Sequence, residues 1–182
     1  LFYGFVSEVR INAGGFEITC HGPEKKSADV SLVRDTANGI QIPKLIFNVD
    51  RSQYDFSQSV KITDHTAGTP WNTGETLETD SRMTVAQILD YLDAKYYAQL
   101  VSAGVIDSAT AGGHVLISAD YSGFTHKPGP IVLENVGFFE GLRQVMRWAP
   151  EYRIVIDHKT TNWRLVPFGI ALTTDRTTAT SN

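Results

Sequence analysis

The chain has almost no thiol chemistry. A single cysteine, Cys20, stands among 182 residues. One thiolate can build neither an internal disulfide nor a cysteine-based zinc site, so both are excluded. Long apolar runs are lacking as well. No stretch reaches the ~18 consecutive apolar residues that read as a membrane-spanning helix, and no membrane partner is expected. Positive charge is in deficit, with 16 Lys and Arg against 20 Asp and Glu and a net charge of -4. A broad nucleic-acid surface needs the opposite balance, so nucleic acid is not an expected partner. The five histidines are His21, His65, His114, His126 and His158, and no two are two or four residues apart. No local metal pair exists, and no metal or cofactor is expected. Glycine-rich phosphate loops and the Gly-x-Ser-x-Gly nucleophile elbow are absent. An initiator methionine is missing too. The opening LFYGFVSEVRI starts in mid-strand without the basic leader of a signal peptide, so the chain is read as a fragment of something longer.

The remaining composition is that of a folded protein. The chain is 42% hydrophobic and 20% charged, and its length allows a sizeable core. Tyr3, Phe5, Ser7, Val9 and Ile11 alternate with Phe2, Gly4, Val6, Glu8 and Arg10. Asn12-Ala13-Gly14-Gly15 then supplies a turn, and Phe16 to Cys20 alternates again. The pattern predicts a strand, a tight turn and a second strand. Gly22 to Lys26 breaks it. Residues 27–33 suggest a short or irregular strand, and 40–49 a bent strand or strand pair interrupted at Pro43, which has no N–H to donate. Residues 50–82 are polar, with Val60-Lys61-Ile62 as the one plausible strand, and make a long surface excursion.

Two amphipathic helices follow. Thr84 and Gln87 form a capping box. Behind them Val85, Ile88, Leu89, Leu92 and Tyr96 share one face, with Asp90 and Asp93 placed on the outer face and Gly104 as the stop after about Ser102. Residues 115–119 read as a strand and 131–135 as an extended segment. The second helix puts Phe139, Leu142, Val145, Met146 and Ala149 on one face, and Pro150 ends it. Tyr152–Asp157 and Trp163–Phe168 are strands joined by a polar turn. The class is α+β with antiparallel hairpins, not a run of βαβ units. It divides into a β-rich segment (1–49), the excursion (50–82), an α+β segment (83–172) and a polar tail or linker (173–182).

Candidate chemistry is sparse. Glu140, Asp157 and His158 fall close together in sequence and invite reading as a catalytic set. The candidates for a glycosidase-like carboxylate pair are Glu75, Glu78, Asp80, Asp120, Glu134 and Glu140. In a chain with twenty acidic residues, such pairs carry little weight. Solvated faces, the favourable charge of Glu140 near a helix start and the hairpin turn at Asp157-His158 account for these residues without catalysis. No catalytic residue is assigned, and the chain is not expected to be an enzyme. Cys20 reads as a small buried apolar residue, and Trp148 and Trp163 as core. Trp71, in the polar excursion, is the one possible ligand or interface contact. It could stack on a sugar or anchor an interface, or it could pin the loop to the body.

Three stretches together resemble a known family. They are Phe2-Tyr3-Gly4-Phe5-Val6-Ser7-Glu8-Val9 with Gly14-Gly15-Phe16-Glu17-Ile18-Thr19-Cys20, the helix Met83-Thr84-Val85-Ala86-Gln87-Ile88-Leu89-Asp90-Tyr91-Leu92, and the helix–hairpin unit Phe138 to Phe168. In this order they are similar to the bacteriophage baseplate hub and late-control protein D family of contractile tails, over about two thirds of the chain. The family's final Asp-Gly or Asn-Gly turn is replaced here by His158-Lys159-Thr160-Thr161-Asn162, and the excursion has no counterpart. The resemblance implies barrel-like sheets and no catalytic residues. It also implies a homo-oligomeric ring, usually trimeric, that joins the tail tube to the spike. Such a protein would sit in the virion tail after assembly in the bacterial cytoplasm. A carbohydrate- or receptor-binding module resting on Trp71 is the alternative.

Overall fold

The computed structural model describes residues 4–12, 14–35, 41–48, 82–157 and 159–168. Trp71, the excursion with Val60-Lys61-Ile62, His65 and His158 lie outside the described residues.

Among the described residues, eight strands and four helices follow one another. They are β1 (Phe5–Asn12), β2 (Gly15–His21), α1 (Pro23–Ser27), β3 (Arg34–Asp35), β4 (Gln41–Ile42), β5 (Lys44–Phe47), α2 (Val85–Ser102), α3 (Ser108–Ala111), β6 (Ile131–Glu134), α4 (Phe138–Met146), β7 (Tyr152–Ile156) and β8 (Trp163–Pro167). A short 3₁₀ turn, Ser118–Asp120, lies between α3 and β6. Every strand pairs antiparallel with one other, in the order β1–β2, β3–β4, β5–β6 and β7–β8. The α+β class is as expected. The implied barrel-like sheets are corrected: the strands remain in two-stranded pairs, and no closed barrel forms among the described residues.

Local chemistry explains the long helix. The hydroxyl of Thr84 accepts from the Gln87 N–H at 3.2 Å, and the Gln87 amide oxygen accepts from the Thr84 N–H at 2.8 Å. The expected capping box is therefore made. Gly104 follows the last turn at φ 68°, a left-handed conformation open to glycine. Val85, Ile88, Leu89, Leu92, Tyr96 and Leu100 are all fully buried. Helix α4 packs against this core through Phe138, Leu142, Val145 and Met146, with Phe139 only half-buried. Gly137, at its N-cap, admits no larger residue, because a Cβ there would lie 2.5 Å from the carbonyl oxygen of Ala28.

Strand β5 brings Leu45, Ile46 and Phe47 into the interior, paired with Ile131–Glu134 of β6. The break at Pro43 is as expected, since β4 and β5 separate there. Hairpin β7–β8 also forms as expected, with Trp163 opposite Ile156 and Leu165 opposite Ile154. Trp163 is fully buried, and its ring lies edge-on to Phe138 and Phe139 at 5.7 and 5.3 Å.

β2 ends at His21, so the expected break at Gly22 to Lys26 is made, and Pro23 opens α1, where its missing N–H is no loss. Three expectations need correction. Residues 115–119 do not form a strand; Leu116 makes one bridge to Trp163 and the chain then turns. Trp148 is exposed, with its ring stacked 5.5 Å from His126. Cys20 is exposed on β2.

Candidate functional site

Of the three residues that suggested catalysis, His158 lies outside the described residues, and Glu140 and Asp157 are each engaged locally. Glu140 accepts from Arg143 at 3.3 Å and Gln144 at 3.5 Å on its own helix. Asp157 opens the β7–β8 turn, accepting from the Lys159 N–H at 2.9 Å. Burial pulls this carboxyl up, but the Lys159 N–H and the hydroxyl and N–H of Thr160 outweigh it and hold Asp157 below the ordinary carboxylate range. A depressed folded-state value means that the carboxylate stabilises the turn above the unfolded pKa of about 4. The benefit is lost as pH falls through the folded value. In acid titration of stability, the wild type should therefore converge on Asp157→Ala below about pH 4. Parallel curves would contradict this role.

The other proposed carboxylates among the described residues, Glu134 and Asp120, are also occupied. Glu134 pairs with Lys44 at 3.0 Å. Asp120 takes Arg164 Nε and Nη2 at 2.6 and 2.8 Å and the Leu165 N–H at 3.1 Å, which pins the 3₁₀ turn to β8. The same pairing pushes the Arg164 pKa up. Glu75, Glu78 and Asp80 lie outside the described residues.

A different carboxylate, Asp93, is also fully engaged. Asp93 is buried on α2, not on its outer face as expected. Its Oδ1 accepts the N–H groups of Val115 and Leu116, and its Oδ2 lies 2.9 Å from His114 Nδ1. One turn earlier, Asp90 accepts the Tyr121 hydroxyl at 2.8 Å. Burial first, and then that hydrogen bond and the nearby acids, push the Tyr121 phenol far above its ordinary value. Asn162 completes the arrangement, its side-chain amide donating to the carbonyls of Ala111 and His114 at 2.9 and 2.7 Å. An Asp–His pair can act as a base. Here both oxygens of Asp93 serve instead to hold the 114–116 segment onto α2.

Two open grooves flank α4. One, of about 420 Å³, is lined by Phe139, Tyr152 and Phe168 with Arg143, Arg147 and Arg153 among its other residues. The other, of about 380 Å³, is lined by Pro130, Ile131, Val132, Gln144, Arg147 and Trp148. Neither is lined by a carboxylate or an imidazole among the described residues. Among the described residues, no group of His, Cys, Asp and Glu is placed to hold a metal ion, and no helix is long and apolar enough to cross a membrane.

The feature left without an internal role is the β1–β2 hairpin. Its base is tied to α1: His21 Nε2 lies 2.7 Å from Lys25 Nζ, and the Lys26 ammonium sits 4.6 Å from the centre of the Phe5 ring. Beyond that base its strands are exposed on both faces, with Val6, Val9, Ile11, Phe16 and Ile18 all open to solvent. Comparison with family models, curated proteins and solved structures finds no match.

Proposed function

We propose that the chain is a structural, non-enzymatic component of a phage or prophage-derived tail. It would be a baseplate hub-like subunit that self-assembles and joins the tail tube to the spike. The observation that carries the assembly part of this reading is the β1–β2 hairpin. A two-stranded hairpin is marginal alone in water, and this one leaves large apolar side chains uncovered, as a subunit awaiting a neighbour would. The polar groups support the same reading, because Asp93, Asp120 and Asn162 are spent on holding the fold. The tail setting rests on the resemblance of the three ordered stretches. Negative-stain electron microscopy of the purified chain tests it. Closed ring-shaped particles are expected, and a field of single small globules would contradict the reading.

A further inference from the structure

The β1–β2 hairpin has two unlike faces. Directly opposed residues share a face, so the pairs Val6–Cys20, Val9–Ile18 and Ile11–Phe16 lie together. Val6 joins the others through a β-bulge. The register shifts between Val6 and Glu8, where the Ser7 hydroxyl donates to the Thr19 carbonyl at 3.2 Å. Without that extra residue, the three-residue step from Val6 to Val9 would place them on opposite faces. The product is a continuous face of six uncharged side chains. Val6, Val9, Ile11, Phe16 and Ile18 are 56%, 55%, 78%, 78% and 58% exposed, and Cys20 is exposed beside them. The opposite face carries Glu8, Arg10, Glu17 and Thr19, with Arg10 Nε 2.8 Å from Glu8, and is suited to water as it stands.

At these exposures the apolar face presents on the order of 500 Å², as large as the patches that mark interaction sites. We propose that it is buried against the same face of other copies of this chain, gathered about the symmetry axis of the ring. The inference rests on the assembly reading above and adds the surface that mediates it. Charge selects the partner first. A symmetric contact can bring residues against their own copies. On the polar face that would oppose Glu to Glu and Arg to Arg, whereas no residue of the apolar face meets a like charge. Area selects it second. Two such faces together approach ~1,000 Å², the lower bound for a specific interface, and reach it only if the partner is apolar along the same length. The hairpin itself meets that requirement. The other exposed large apolar side chains among the described residues, Val132, Trp148 and Phe168, are too few to form a second such face.

Sedimentation velocity on the whole chain, comparing Ile18→Glu with Thr19→Glu on the polar face, tests the inference. Ile18→Glu should lose the assembled species and run as a single chain, while Thr19→Glu stays assembled. Cys20 gives a second readout, because it is the sole thiol and lies on the face. It should react slowly with an aromatic disulfide reagent in the wild-type assembly and rapidly in Ile18→Glu. An Ile18→Glu chain that stays assembled would overturn the inference and leave the assembly reading standing. A wild type that is already a single chain would overturn both. If Ile18→Glu fails to fold, the wild type decides alone: an assembled chain whose Cys20 reacts as fast as in urea contradicts the buried face.

Discussion

Trp163→Ala should destabilise the chain by about 4 kcal/mol, the range for deleting a buried tryptophan. The indole is fully buried where β8 meets α4, edge-on to Phe138 and Phe139. Its backbone also holds neighbouring segments, with the Trp163 N–H donating to Val115 at 2.8 Å and Leu116 bridging to it. The substitution removes the ring and leaves a void that two further aromatic rings border. Trp163→Phe keeps most of the volume. It also removes an indole N–H that is buried without an acceptor among the described residues, so it should cost much less. Urea unfolding of the two variants checks the order. Equal losses would mean that the ring packing is not what holds this corner.

Asp93→Ala should be the second most damaging change, at about 3 kcal/mol, because buried donors left unmade cost about 1–3 kcal/mol each. The Val115 and Leu116 N–H groups both donate to Oδ1 and would lose their acceptor together. Asp93→Asn separates the acceptor geometry from the charge. Its amide oxygen can accept both N–H groups, and its amide nitrogen can face His114 Nδ1 if that atom is unprotonated. The expected loss is about 1 kcal/mol, one ordinary hydrogen bond. A large loss in Asp93→Asn would instead mean that the charge itself, and not the acceptor geometry, holds the segment.

Much of the fold was legible because its signals are local. The capping box of Thr84 and Gln87 needs only four residues, and α2 begins where it says. The β7–β8 hairpin follows from alternation, with Trp163 and Leu165 inward. Asp93 could have been found by the same periodicity. It lies four residues after Leu89 and three before Tyr96, both fully buried, which places it on the apolar side of α2. Its acceptor role was hidden because the partners come from residues 114–116, some twenty positions on.

The hairpin face was the least legible feature. Simple alternation assigns Val6 and Val9 to opposite sides, and only the bulge at Ser7 and Glu8 unites them. A bulge leaves no required residue type behind, so strand patterning alone cannot place it. The same error explains Cys20. It was expected inside because a small thiol is usually buried, yet its strand has no body against either face beyond the base. Trp71 and His158 lie outside the described residues, so the structure neither adds to nor removes from what their positions in sequence suggested.

Self-assembly is the claim on which the functional reading turns, and the mass of the particle in solution tests it most directly. Multi-angle light scattering on the chain eluting from a sizing column at micromolar concentration should return a whole-number multiple of the single-chain mass. A single-chain mass across that range would contradict the account.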